Sequence, residues 1–234
     1  MLASMIDIAR APLLFDLDGT LLDTIDDLAA SLISVRASFG LADVDLDFVR
    51  RGIGDGLDAL LRHGLADMHA VDLSQEAVLE PIRERWRAHY GGHLQVHTRA
   101  FEGVEAALKL LADRGHPMAI VSNKPVSFCR QLVRAFAWEG MLPVVLGGDS
   151  ATRHKPDPAP IALACEVLGV DVGQAWMIGD SPADILAGTH AGCARRVACT
   201  WGYRSQAELR AAEPTDVVAS FAELLALIFA ASSG

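Results

Sequence analysis

Cysteine is scarce in this chain, and basic residues are outnumbered by acidic ones. Its 4 cysteines form no C-x-x-C pair among 234 residues. They are too few for a disulfide framework, so we expect a reducing, cytoplasmic location. The chain has 20 Lys and Arg against 30 Asp and Glu, for a formal net charge of -10. Nucleic-acid affinity comes largely from Lys and Arg that neutralise phosphates, so this balance argues against a nucleic-acid partner.

Long hydrophobic runs are missing as well. Asp7 and Arg10 interrupt the apolar residues near the start, which argues against a secretory signal. The most apolar late segment, AELLALIFAA, is about half as long as the roughly 20 residues that span a bilayer. We therefore expect no membrane partner, and we interpret this segment as a terminal amphipathic or buried helix.

The apolar residues that are present make up 51% of the chain, enough for one large domain or for a domain with a smaller insert. Residues 24–98 show helical patterns and no convincing strand. Asp23 or Thr24 can cap a first helix that runs to about Phe39 and is closed by Gly40. Further helices are predicted from near Leu57 and over residues 74–90.

From Phe101 onward, short apolar segments alternate with helical ones. The predicted helices cover 104–114, 126–136, 158–168 and 185–190, and the predicted strands are PMAIVS, residues 143–146, AWMIG and, last, RRVAC. Together with the opening run LLF, this alternation predicts an α/β fold with a doubly wound parallel sheet. Ligands of such sheets bind beyond the carboxyl ends of the strands.

The opening stretch LLFDLDGTLLDT places Asp16 and Asp18 at the end of a buried strand, before a turn at Gly19 and Thr20. Burial of a carboxylate without a partner is costly, so two adjacent acids require a cation, a proton or water. Residue types and spacing alone leave these three solutions open.

Other predicted strand ends carry polar residues that a parallel sheet would bring to the same edge. These are Ser122 with Asn123, and Asp180 with Asp184, while Lys155 lies in a loop that reaches the same crevice. Carboxylates around one lysine suit a hard cation, and Mg²⁺ prefers such oxygen ligands. A metal ion, a lysine and a serine hydroxyl would together bind a phosphoryl group.

The stretches DLDGTLLDT, SNK, KPDP and GDSPADI resemble, in order, the four signature motifs of the haloacid dehalogenase superfamily of phosphatases. The resemblance implies a Rossmann-like core with Asp16 as nucleophile and Asp18 as acid and base. It implies phosphate contacts from Ser122, Asn123 and the catalytic Lys155.

The same resemblance implies a Mg²⁺ cofactor. Its ligands would be the side chains of Asp16 and Asp180 and the backbone carbonyl of Asp18, with Asp184 as a supporting carboxylate. Asp184 also suits a plain helix cap, because GDSPAD has the pattern of a helix start with an early acid.

Residues 24–98 match the position of the superfamily's mobile cap domain, inserted after the first strand of a core made of residues 1–23 and 99–234. Within the superfamily, GIGDGLDALL, LGGD and TWGYRS resemble phosphoglycolate phosphatases. The resemblance thus implies a small anionic phosphate ester as substrate, handled by a monomer or homodimer. Related enzymes act on sugar phosphates, N-acetylmuramic acid 6-phosphate or pyrophosphate, and these remain alternatives.

The segment RRGIGDGL offers further candidate substrate contacts in the insert. Gly52 and Gly54 stand in a glycine-rich loop whose backbone could approach a substrate, although a plain turn has the same composition. Arg50 and Arg51 could bind a substrate carboxylate, although arginines more often lie at the surface.

Three rival functions use the same fold. A phosphomutase similar to β-phosphoglucomutase needs the same aspartates but passes the phosphoryl group on. A dehalogenase would not need Asp18, because a halide leaves without a proton. A non-enzymatic binding module would tolerate a broken set of residues, and here every expected position is filled.

Overall fold

A six-stranded parallel sheet with the order β5-β4-β1-β6-β7-β8 forms the centre of the computed structural model, which describes residues 10–231. Its strands, with a separate antiparallel pair β2–β3, are β1 Leu13–Phe15, β2 Leu22–Asp23, β3 Arg99–Ala100, β4 Met118–Val121, β5 Val144–Leu146, β6 Trp176–Gly179, β7 Arg195–Cys199 and β8 Asp216–Val218.

The sheet is covered on both faces, and this explains its unbroken apolar strands. Leu13 and Phe15 of β1 belong to one buried cluster, and Leu14 between them belongs to the cluster on the other face. Because successive side chains of a strand point to opposite faces, a strand with both faces covered is apolar throughout. The predicted doubly wound α/β fold is confirmed.

Ten α-helices accompany these strands in residues 10–231. They are α1 Ile25–Ser38, α2 Leu46–Gly52, α3 Leu57–Gly64, α4 Glu76–Gly92, α5 Val104–Asp113, α6 Val126–Ala135, α7 Ala159–Leu168, α8 Pro182–Ala191, α9 Gln206–Ala211 and α10 Phe221–Ala231. None of the helices in the described part of the chain has the length and apolarity that crossing a bilayer requires. The expectation of no secretory signal concerns residues 1–9, which lie outside the described range.

Helices α1 to α4 form an insert between β2 and β3, and residues 24–98 contain no strand, as predicted. The buried carboxylate of Asp27 joins the two ends of this insert. It accepts hydrogen bonds from His97 N at 3.0 Å and from Thr98 N at 2.8 Å and Thr98 Oγ1 at 2.7 Å. The chain therefore leaves and re-enters the core at one place.

Three local predictions were wrong. RRVAC is not the last strand, because β8 follows it at the sheet edge, where two of its three residues are only half-buried. Helix α2 was missed because it has just 7 residues, and Gly52 ends this helix instead of standing in a loop. Helix α4 continues through Gly91 and Gly92. The predicted start of α1 is confirmed, since Thr24 is its N-cap residue and Asp23 Oδ1 accepts from Ile25 N at 3.4 Å, while the Thr24 hydroxyl donates to Asp18 Oδ1 at 2.8 Å.

Candidate active site

Strands β1 and β6 place the carboxylates of Asp16 and Asp180 next to each other. After β1 the next strand of the sheet is β4, on one side of this pair, and after β6 it is β7, on the other side. A crevice therefore opens at the carboxyl ends of β1 and β6. Asp16 follows β1 directly, and its backbone N–H donates to Ile178 O at 2.9 Å, so β1–β6 pairing extends to the site. Gly19 has φ +85°, and a side chain there would collide with the Asp180 carboxylate, so the turn requires glycine.

Asp16, Asp180 and Asp184 form a buried acidic cluster. Each offers a carboxylate oxygen, and these three atoms lie within 4.8 Å of one another. Lys155 is the cation in contact, with Nζ 2.5 Å from Asp184 Oδ1 and 3.1 Å from Asp16 Oδ1. One lysine charge cannot balance three carboxylates, so the cluster favours either bound protons or a further cation.

The pKa values of these side chains reflect this excess of negative charge. Burial raises the pKa of Asp16 to about 6, although Lys155 acts in the opposite direction. Burial, with repulsion from Asp16 and Asp184, raises the pKa of Asp180 to about 8. The pKa of Lys155 is also raised, because these carboxylates outweigh the effect of its burial. Three buried oxygen donors of this kind fit a hard divalent cation such as Mg²⁺.

The two oxygens of Asp16 have different environments. Oδ1 accepts a hydrogen bond from Leu17 N at 2.7 Å and contacts Lys155. Oδ2 has no hydrogen-bond partner among residues 10–231. Ser122 Oγ accepts a long hydrogen bond from Lys124 N at 3.3 Å, which leaves its proton available to another acceptor. A carboxylate oxygen without a partner and a hydroxyl donor thus stand at neighbouring strand ends.

Asp18 lies outside the acidic cluster and has its own cation. Lys124 Nζ is 3.1 Å from Asp18 Oδ1 and 3.0 Å from Oδ2, and it lies 4.4 Å from the centre of the Tyr90 ring. The Lys124 side chain is only 3% exposed, so this ion pair is buried. The sequence interpretation missed Lys124, although it is the third residue of the SNK motif. Coordination through the Asp18 carbonyl stays a prediction.

Asn123 joins the loop of Lys155 to the helical insert. Its Oδ1 accepts from Lys155 N at 2.9 Å, and its Nδ2 donates to Lys155 O at 2.9 Å and to Gly54 O at 3.0 Å. These bonds use both N–H donors of the amide group. The expected direct phosphate contact of Asn123 is therefore less well supported than a role in holding Lys155.

Asp184 is the helix cap considered from sequence, and its carboxylate also lies in the acidic cluster. Its Oδ2 accepts hydrogen bonds from Ser181 N at 3.0 Å and Ser181 Oγ at 2.6 Å, which completes a capping box at the start of α8. Its Oδ1 contacts Lys155 and belongs to the acidic cluster. The cap fixes the orientation of this carboxylate within the cluster, and a supporting role beside a metal ion stays a prediction.

A cavity of about 40 Å³ lies between the insert and the core, which is room for only a few water molecules. Asp16, Asp18 and Ser122 line its core side. The insert contributes a wall of mostly apolar residues, namely Leu28, Ile53, Gly54, Gly56, Leu57, Leu60 and Trp86. A small ligand suits this space, and Lys124 adds a cation to its core side.

Of the candidates in RRGIGDGL, only Gly54 lines this cavity. Gly52 packs against His63, where an added side chain would meet the ring. Arg50 pairs with the exposed Asp47, and Arg51 lies 5.8 Å from the centre of the Phe48 ring. The arrangement therefore does not support substrate contacts from Gly52, Arg50 or Arg51.

Comparison with known proteins agrees with this architecture. The family model for haloacid dehalogenase-like hydrolases matches residues 13–198. A phosphoglycolate phosphatase of Psychrobacter arcticus is 34% identical, covering 91% of this chain and 93% of that protein. One from Haemophilus influenzae is also 34% identical, covering 92% and 96%.

A solved structure shows the same likeness in three dimensions. The crystal structure of a predicted phosphoglycolate phosphatase from Haemophilus somnus superimposes with a TM-score of 0.85 at 30% identity, covering 93% of this chain and 97% of the other. The family match spans both the acidic cluster and the helical insert. The chain therefore belongs to the haloacid dehalogenase-like hydrolases, as a phosphatase of that superfamily.

Proposed function

We propose that this protein hydrolyses a small phosphomonoester in the cytoplasm, with 2-phosphoglycolate as substrate, Mg²⁺ as cofactor and an aspartyl-phosphate intermediate on Asp16. The observation that carries the proposal is Asp16 Oδ2, an oxygen without a hydrogen-bond partner among residues 10–231, beside Lys155 and the buried acidic cluster. The substrate follows from the similarity to the phosphoglycolate phosphatases.

In the first half of the reaction, Asp16 Oδ2 forms a bond to phosphorus as the ester P–O bond breaks. Asp18 gives a proton to the leaving oxygen. In the second half, Asp18 accepts a proton from water as that water attacks the phosphoenzyme, and this releases phosphate and restores Asp16. Lys124 and Thr24 hold Asp18 in place for both transfers.

Asp16, Asp180 and Asp184 would hold the Mg²⁺, which neutralises charge on the phosphoryl oxygens when it is bound. Lys155 and the Ser122 hydroxyl would supply further positive charge and a hydrogen bond to the same group. Residues 24–98 would act as a cap that limits access of water. We expect a monomer or a homodimer.

A panel of phosphate esters, assayed for free phosphate with and without Mg²⁺, tests the proposal. We expect the highest kcat/KM for 2-phosphoglycolate, ahead of sugar phosphates, N-acetylmuramic acid 6-phosphate and pyrophosphate. If another ester gave the highest kcat/KM, that ester would replace 2-phosphoglycolate as the proposed substrate, and the phosphatase assignment would stand. Transfer of phosphate between sugars without its release would instead indicate a phosphomutase.

The raised pKa of Asp180 predicts a pH-dependent stability of the metal-free protein. The folded state binds a proton that the unfolded chain releases near pH 4, so stability falls as the pH rises toward about 8. We expect the melting temperature in EDTA to fall between pH 6 and pH 8.5, and Mg²⁺ to reverse the fall. The Asp180→Asn variant should show a flatter curve and little response to Mg²⁺. A flat wild-type curve would contradict the prediction.

A substitution at Gly54 tests whether the insert selects the substrate. Gly54 has φ +114° and lines the cavity, so Gly54→Val should distort the wall that faces the non-phosphate end of the substrate. We expect kcat/KM to fall about tenfold more for 2-phosphoglycolate than for p-nitrophenyl phosphate. Gly40→Val is the matched control, because Gly40 also has positive φ and has open space around it. Equal losses on both esters would mean that Gly54 only supports the fold.

A further inference from the structure

Arg204 extends from the core to the helical insert. It follows β7 in the loop TWGYRS, and its side chain is only 13% exposed. Its Nη1 donates to Arg51 O at 3.1 Å and its Nη2 donates to Ile53 O at 2.6 Å. The guanidinium thus binds two backbone carbonyls where α2 ends, and such terminal carbonyls have no partner within a helix.

The base of Arg204 is fixed to the core by its neighbours in the same loop. Trp201 Nε1 donates to Thr20 O at 3.0 Å. Tyr203 N donates to Asp180 Oδ2 at 2.7 Å, and the Tyr203 hydroxyl accepts from Thr24 N at 2.7 Å. The guanidinium therefore projects from a backbone that is already held at the acidic cluster and at the entrance to the insert.

The carbonyls that Arg204 binds belong to the segment that covers the site. Ile53 and Gly54 line the cavity opposite Asp16 and Asp18. Nearby carboxylates do not account for the position of Arg204, because Asp55 and Glu208 lie at 3.8 and 3.9 Å and are largely exposed. The short contacts of Arg204 are to the backbone, and they fix where this wall stands.

We propose that Arg204 is a positioning residue that holds segment 51–54 over the nucleophile and thereby sets the fit of the substrate's non-phosphate end. Arg204 acts through the backbone carbonyls of Arg51 and Ile53 and does not touch the reacting atoms. The fork of two donors is essential, because a lysine ammonium is a point charge that cannot match two carbonyls in one plane.

Hydrogen exchange of the full-length protein tests this proposal without any substrate. Arg204→Met should speed amide exchange in residues 50–57 about tenfold or more, while exchange in β1 and β6 stays at the wild-type rate. Arg204→Lys should give an intermediate increase in the same residues. Arg210→Met, a change at an exposed arginine of α9, is the control and should change nothing. Wild-type exchange of residues 50–57 in Arg204→Met would overturn the proposal.

Should Arg204→Met unfold, faster exchange would extend to the sheet, and Arg204→Lys would then decide. A local increase in exchange in Arg204→Lys supports the role, and wild-type exchange in that variant overturns it.

A kinetic measurement also tests the role of Arg204, and it depends on the proposed function. Arg204→Met should raise KM for the best ester about tenfold and change kcat less than about threefold, because the nucleophile and proton carrier remain on the core. Absence of activity in the wild type would refute the proposed function and leave the exchange result standing.

Discussion

Replacement of Asp16 by asparagine is expected to reduce phosphate release by about 10⁴-fold or more, as loss of a covalent nucleophile does in other enzymes. An amide cannot serve as the anionic nucleophile, and it is a poorer ligand for a hard cation. The loss should be the same for every ester in the panel, because each would pass through the same aspartyl phosphate. Steady-state assays with good and poor leaving groups measure it.

The Asp16→Asn variant should nevertheless remain folded. Because burial raises the pKa of Asp16 to about 6, its charge opposes folding at pH 7.5, and a neutral amide removes that opposition. We expect a metal-free melting temperature equal to or above that of the wild type. The exposed Asp113→Asn serves as control and should change neither activity nor stability. A folded Asp16→Asn variant that kept more than a few per cent of activity would refute the covalent role.

Replacement of Asp18 by asparagine is expected to lower turnover of an alkyl phosphate by about 10²- to 10⁴-fold, the range that general acid–base catalysis contributes. Asparagine cannot give a proton to the leaving oxygen or take one from water. Its amide oxygen can still accept a hydrogen bond from Thr24 or Lys124, but the buried Lys124 loses its counter-charge, so the melting temperature of the variant is measured alongside its activity.

The leaving group identifies the lost step. p-Nitrophenolate leaves without protonation, so Asp18→Asn should form the phosphoenzyme from p-nitrophenyl phosphate at a rate much closer to that of the wild type. Its later hydrolysis should remain slow, because that half still requires a base. Rapid-mixing measurements would show a burst of p-nitrophenolate followed by a slow phase. Equal losses in the first half for both esters would exclude Asp18 as the acid.

The order of strands and helices could be predicted because each local segment carries its own signal. Continuous apolar runs indicated β1, β4 and β6, and polar residues directly after them marked the edge of the sheet where the site lies. Segments with weak signals were missed. Helix α2 has only two turns, and β8 is three residues long and partly exposed.

Partnerships across the chain could not be predicted from local patterns. Lys124 was visible in SNK, but its pairing with Asp18 depends on β1 and β4 lying side by side. Arg204 was visible in TWGYRS, but its carbonyl partners are about 150 residues away in sequence. Likewise, Arg50 and Arg51 matched a substrate carboxylate in charge, but the orientation of α2 directs them elsewhere.

Local signals were enough to predict the alternating fold, the helical insert and the residue types at the strand ends, because apolar periodicity and residue chemistry are local properties. Only the folded chain shows which carboxylates share Lys155, which one pairs with Lys124, and which face of the insert covers Asp16. Ion pairing, desolvation and the shape of a cavity depend on distances of a few ångströms between segments far apart in the chain, and no local pattern specifies those distances.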